Sequence, residues 1–162
     1  MSGYFEDSEI GAPIHLGSHT FGRDEILDFA RKYDPQPFHM DEEAAAKSLF
    51  GALAASGWHT SAVWLRLLID HRRREAELMR FRGERPARYG PSPGFEKLRW
   101  FKPVFVGDTL AFTTRAKEKI DSRSRPGIGL VLFDNEGVNQ NGETVFSVVS
   151  KVFVERRTPF AG

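Results

Sequence analysis

In the stretch YDPQPFHMDEEAA, Asp34 and His39 stand five residues apart across Pro35 and Pro37. A carboxylate and an imidazole held at the two ends of a short loop can share one water and move its proton. Each proline lacks an amide hydrogen and restricts the residue before it. The loop is therefore stiff, and holding the two side chains together costs less entropy. An ordinary polar loop, with a surface Asp and a His bonded to a carbonyl, uses the same residue types. A second feature is ASGWHT, residues 55–60. Ser56 can cap the helix that follows, and Gly57 falls in its first turn, where glycine costs helix stability but permits close approach to the amide. Helix amino termini offer unpaired amide hydrogens and the positive dipole end. That suits a carbonyl oxygen gaining negative charge during reaction, although a tight loop-to-helix junction reads the same way.

Other polar residues give weaker signals. His59, one turn into the helix, reads as a hydrogen-bonded core or pocket histidine, and His71, beside three arginines, as an exposed one. Asp34, His39, Asp41 and Glu42 are a conceivable metal set, but no HExxH-like spacing occurs and no metal is expected. There is no GxSxG, P-loop or dinucleotide fingerprint. Between Arg66 and Arg88 lie eight arginines against Asp70, Glu75, Glu77 and Glu84, a local excess that could hold phosphates of a bulky anionic group. A solvated helix end, favoured by the dipole, explains it equally. Aromatic residues are not interleaved as stacking platforms, so nucleic acid is not an expected partner.

Several elements must position these residues. PIHLGSHTF (13–21) reads as a short strand, and DEILDFARKY (24–33) as a helix with acids in its first turn. Pro35 and Pro37 end that helix, and DEEAAAKS (41–48) is a short second one capped by Asp41. The stretch 56–75 is a long helix, apolar on nearly every side from Ala62 to Ile69 except at Arg66, as expected of a helix buried inside something. Residues 76–94, rich in Arg, Gly and Pro, read as a loop or excursion. Three or four long antiparallel strands follow, within 95–105, 109–120, 128–137 and 144–154, with turns at Gly107–Asp108 and NQNGE. A sheet curled around the buried helix satisfies both patterns. TVFSVVSKVFV is apolar on both faces at several positions, so it is expected to be buried or packed on a partner.

Composition sets bounds. The 162 residues suit one domain, and a hydrophobic fraction of 40% with 14 phenylalanines suits an ordinary core with pocket lining. A formal net charge of +1 gives no global pull toward nucleic acid or membrane. The absence of cysteine excludes disulfides and thiolate chemistry. No apolar run reaches the ~18 residues of a membrane span, and MSGYFEDSEIG is not a signal peptide, so a cytoplasmic protein is expected.

Taken together, FARKYDPQPFHMDEEAA, FGALAASGWHT and RWFKPVFVGDTL resemble the MaoC-like dehydratases, relatives of the (R)-specific enoyl-CoA hydratases, with similarity running through residues 20–155. The resemblance implies an α+β hotdog fold, an antiparallel sheet wrapped around one long helix, as a single domain over residues 1–162. It implies a homodimer joined sheet edge to sheet edge. It also implies reversible addition of water to a 2-enoyl-CoA thioester, with coenzyme A part of the substrate and no separate cofactor. Asp34 and His39 would hold and activate the water, and the Gly57 amide would bind the thioester oxygen as it becomes enolate-like. Ser56, Trp58, Phe38 and Phe50 would meet the acyl part, although core packing explains the aromatics equally, and Arg72 and Arg73 would meet the CoA phosphates. The sequence departs from the pattern at Ser56, where many members carry histidine, at Gln36, where asparagine is common, and in its longer Arg-rich excursion. An acyl-CoA thioesterase and a non-catalytic acyl-binding protein are the alternatives on the same fold.

Overall fold

A computed structural model describes residues 3–161. A 3₁₀ turn (Phe5–Asp7) precedes β1 (Pro13–Thr20), α1 (Arg23–Tyr33), α2 (Pro37–Met40), α3 (Glu42–Ala46) and the long α4 (Gly57–Phe81). Strands β2 (Phe95–Trp100), β3 (Thr109–Asp121), β4 (Ile128–Val138) and β5 (Thr144–Glu155) complete the chain. The sheet runs β1-β3-β4-β5-β2, with every neighbouring pair antiparallel. The first and second strands are its two edges.

The alternation expected for β3 holds: Leu110, Phe112, Thr114 and Ala116 are buried on one face. Leu110 and Phe112 pack with Phe146 and Val148 of β5 and with Trp64 and Leu68 of α4, so the helix lies on the concave side of the sheet, while Ala116 joins a second cluster with Phe5, Val131 and Phe133.

Three expectations need correction. Helix α4 does not stop at residue 75 but runs to Phe81. Ala76, Glu77, Leu78, Met79 and Arg80 are strong helix formers, and an exposed helical turn needs propensity rather than an apolar pattern. It ends at Gly83 (φ 77°), where Glu84 N–H donates to Met79 C=O at 2.9 Å and Gly83 N–H to Arg80 C=O at 2.9 Å. This is a Schellman stop, which needs the left-handed glycine. Second, α4 is not buried all round: Trp64 and Leu68 face the core, while Leu65 is 49% exposed. Third, Val145 does not lie on the face opposite Phe146: at a bulge where Gly137 pairs with Phe146 and Val138 with Thr144, it joins the same core, while Val149 is buried within the chain.

No helix among the described residues is long and apolar enough to cross a membrane.

Candidate active site

Asp34 is the residue on which α1 ends, its N–H donating to Ala30 C=O at 2.9 Å. Pro35 prevents another helical turn, and Pro37 starts the one-turn α2, which carries His39. The two prolines thus fold the chain back so that the carboxylate and the imidazole converge. His39 Nε2 lies 3.6 Å from Asp34 Oδ2, and the two side chains are only 7% and 16% exposed.

The imidazole is oriented from behind. His39 Nδ1 is 2.7 Å from Ala54 C=O, an acceptor, so Nδ1 carries the hydrogen and Nε2 keeps the lone pair of the neutral ring. Ala54 is itself fixed, because the segment before α4 bridges to Phe105 and Ala55 N–H donates to Val104 C=O at 2.7 Å. Phe38 packs edge-on against the ring at 4.6 Å, and Phe50 lies 6.0 Å from it.

Asp34 is held by donors. Ser56 Oγ–H donates to Oδ2 at 2.6 Å and Gln36 Nε2–H to Oδ1 at 2.7 Å. Burial pushes this carboxyl up, but the hydrogen bonds from Ser56 and Gln36, with the neighbouring His39 imidazole, together hold it below the ordinary aspartate value. Asp34 is therefore ionised at neutral pH. The separation of 3.6 Å from His39 Nε2 exceeds a direct hydrogen bond, and it suits two groups that share a third.

Ser56 also caps α4, its Oγ accepting from Trp58 N–H at 3.2 Å. Its hydroxyl thus donates to Asp34 and accepts from the helix at once. Gly57 begins the helix, and its amide has no acceptor among the described residues. A Cβ on Gly57 would lie 2.6 Å from the ring of Trp100, so the close approach that requires glycine is that of an indole. Trp100 had no role in the sequence reading. It stands in the RWFKPVFVGDTL stretch that carries the family resemblance, but nothing local ties it to Gly57.

His39, Phe50, Gly57, Thr60, Trp100 and Lys102 are among the residues that line a cleft of about 280 Å³, while Asp34, Ser56 and Phe38 stand behind its walls. Trp58 stands beside it, 52% exposed and edge-on to Trp100 at 5.2 Å.

The arginines lie elsewhere. Arg72 and Arg73 follow Gly57 by fifteen and sixteen positions, about 22 Å along the helix. The Arg72 guanidinium stacks 4.5 Å over Tyr89, and burial pushes Tyr89 up to about 12. Arg73 is 4.0 Å from Asp70, and Arg85 grips Glu155 with two bonds of 3.1 and 2.9 Å. His71 is half-buried rather than exposed, since it faces inward from α4. His59 stacks on Phe29 at 4.7 Å, and its buried Nδ1 has no hydrogen-bond partner among the described residues. Among the described residues no group of three or more His, Asp or Glu is placed to hold a metal ion.

This sheet, helix and site define a family. The MaoC-like domain model matches residues 7–131, and the chain belongs to that family. A MaoC-like dehydratase from Rhodospirillum rubrum is 36% identical and superposes with a TM-score of 0.79 over 95% of this chain and 97% of that one. The protein YdeM of Bacillus subtilis, whose function is uncharacterised, is 27% identical over 93% of this chain and 98% of its own length. The 3-hydroxybutyryl-CoA dehydratase of Methylorubrum extorquens is 27% identical over 91% of this chain and 85% of its own. The five-stranded antiparallel sheet around α4 is the hotdog fold, in the α+β class.

Proposed function

We propose that this chain is a cytoplasmic hydro-lyase, a single-domain enzyme adding water reversibly to the double bond of a 2-enoyl-CoA thioester. The observation that carries the reading is the convergence of Asp34 Oδ2 and His39 Nε2 beside a cleft that also holds the free Gly57 amide. Relatives named as dehydratases support it, one of them a dehydratase of a 3-hydroxyacyl-CoA.

The steps follow from the groups present. Water donates one hydrogen bond to ionised Asp34 and the other to the lone pair on His39 Nε2. Its oxygen bonds to the β-carbon as Nε2 takes the proton, and the π electrons move through the α-carbon onto the thioester oxygen. The Gly57 N–H, at the positive end of α4, stabilises that enolate oxygen. The imidazolium, stabilised by Asp34, returns its proton to the α-carbon. One water is added, and both residues return to their starting states. Phe50 and Trp100 give the acyl part an apolar wall, with Phe38 behind His39.

The protein works as a homodimer in this reading. Trp58, Ala62 and Leu65 share one face of α4, the side on which Trp58 meets Trp100 of edge strand β2. Trp58, Leu65, Trp100 and Phe101 are all exposed in the single chain. A second copy laid along this edge covers them and pairs the open strand.

The test is incubation with crotonyl-CoA. Hydration removes the conjugated enoyl absorbance without releasing thiol. Thiol release instead means a thioesterase, and neither change means a binding protein.

A further inference from the structure

Near its start α4 carries two hydroxyl residues side by side, and only one of them is satisfied. Ser61 Oγ–H donates to Gly57 C=O at 3.0 Å and accepts from Trp100 Nε1–H at 3.3 Å. Thr60 is 2% exposed and lines the cleft at His39 and Gly57. A helical threonine ordinarily bonds back to the carbonyl four residues earlier, which here is Ser56 C=O. That oxygen already accepts from His59 N–H at 2.9 Å and from Thr60 N–H at 3.2 Å, so both its lone pairs are used. Among the described residues Thr60 Oγ1 makes no hydrogen bond.

Thr60 follows Gly57 by three residues, so it shares the helix face of Gly57 and Trp64 rather than that of Trp58, Ala62 and Leu65. A second copy laid over Trp58 and Leu65 therefore leaves it inside the cleft. It stands about 4.5 Å further along α4 than Gly57. That is on the order of the span from a thioester oxygen to the fourth carbon of an enoyl chain. Its neighbours in the lining include Phe50, Ala55, Val104 and Val145, all apolar. A hydroxyl buried among them without a partner is destabilising, and valine would fill nearly the same shape without that penalty. The cation of the lining, Lys102, is bonded to Glu143, so its charge is already balanced.

We propose that the substrate's acyl group carries a neutral oxygen on its fourth carbon, just beyond the double bond, and that the Thr60 hydroxyl selects it. The inference rests on the hydro-lyase reading above and names its substrate class, a 4-oxygenated 2-enoyl thioester. A threonine hydroxyl is donor and acceptor at once, so it suits an alcohol or a carbonyl oxygen. A carboxylate in that place would find Lys102 taken and Asp34 already ionised nearby. A site built to bond a substrate oxygen rejects the analogue that lacks it, because the protein's own polar group is then left unpaired.

The experiment measures kcat/KM for three thioesters with wild type, Thr60→Val and Thr60→Ser. They are 4-hydroxybut-2-enoyl-CoA, pent-2-enoyl-CoA, which has a methyl in place of that hydroxyl, and the monothioester of fumaric acid with coenzyme A. Wild type is expected to favour the 4-hydroxy substrate over its methyl isostere by at least roughly tenfold, Thr60→Ser to keep most of that ratio, and Thr60→Val to bring it to about one. An unchanged ratio in Thr60→Val overturns the assignment, since a hydroxyl that served the water, the thioester oxygen or the packing would touch both substrates alike. A preference for the fumaryl thioester over both others overturns the neutral class. Calorimetry on wild type with freshly prepared 4-hydroxybutyryl-CoA and pentanoyl-CoA reads binding without turnover. The preference with no hydration of any enoyl thioester sinks the reaction alone, and hydration with no preference sinks the oxygen site alone.

Discussion

Ser56 Oγ donates to Asp34 Oδ2 at 2.6 Å while accepting from Trp58 N–H at 3.2 Å, so one hydroxyl caps the central helix and holds the Asp34 carboxylate. Ser56→Ala removes both bonds. Loss of the cap costs about 1 kcal/mol of stability. Loss of a donor to the ionised form raises the Asp34 pKa toward the ordinary value, since that bond had lowered it. The acid limb of the kcat–pH profile then moves to higher pH. At neutral pH the misplaced carboxylate costs up to about a hundredfold in kcat. Ser56→Thr keeps a capping hydroxyl and restores most of both. An acid limb that stays put in Ser56→Ala leaves the serine as a cap only.

Asp34 and His39 act on the same water in this mechanism, so their variants are not additive. Asp34→Asn keeps shape and removes the charge. His39→Gln keeps a polar group and removes the proton carrier. Each lowers kcat about 10²- to 10⁴-fold, and the double variant loses little beyond the worse single one. Hydration of crotonyl-CoA measures this, with circular dichroism checking the fold. Folded single variants as active as wild type would falsify the roles assigned to both residues.

Gly57 and Trp100 are coupled sterically, and the coupling has a testable sign. Gly57→Ala drives a methyl into the indole 2.6 Å away and costs about 1–3 kcal/mol in an otherwise intact protein. Once Trp100→Ala has removed the ring, the same substitution gains about 0.5–1 kcal/mol, because alanine favours a helix over glycine. A double-mutant cycle in urea reads the reversal. Additive single effects mean that the indole has room to move aside.

Much of this was legible in the sequence because it follows local rules. The prolines around Gln36, the Asp41 cap (Ala44 N–H to Oδ1, 2.7 Å) and the alternation of β3 each depend on a few neighbouring residues. What was not legible is long-range. Trp100 meets Gly57 across forty-three positions, and only the packed sheet brings them together. Strand β2 bulges at Lys97, and the bulge depends on the register against β5, to which a single strand is blind. The surroundings of the arginines are long-range too: composition counts charges but does not show that Tyr89, Asp70 and Glu155 engage Arg72, Arg73 and Arg85.

The exposed side of α4 gives a prediction for assembly. Leu65 is 49% exposed, and it shares a helix face with Trp58 next to the open edge of β2. Light scattering of wild type is expected to give twice the chain mass. Leu65→Glu sets two charges against each other or against apolar surface in the dimer and is harmless in a monomer. Its mass falls toward one chain at micromolar concentration. A wild type that stays monomeric at all concentrations removes the dimer.

His59 gives the chain a pH-dependent stability that can be separated from the active site. Burial pushes its pKa below the ordinary histidine value, only partly opposed by Glu25, whose Oε2 lies 4.0 Å from Nε2. His19 also faces it, bonded to the same carboxylate at 2.9 Å, and Phe29 and Phe21 supply the other walls. A base whose pKa is lower in the folded state takes up its proton more readily when unfolded. Stability then rises with pH wherever the unfolded chain holds more protons. The contribution of His59 is complete above the unfolded value near 6.5 and is lost as pH falls from there toward the folded value. The half-buried His71 is shifted in the same direction, so it adds to the loss in the same window. Melting temperatures between pH 8 and pH 5 should therefore drop below about pH 6.5. His59→Phe keeps a ring against Phe29 and removes this titration, so its drop should be shallower. An identical slope in His59→Phe would place the pH dependence in other groups.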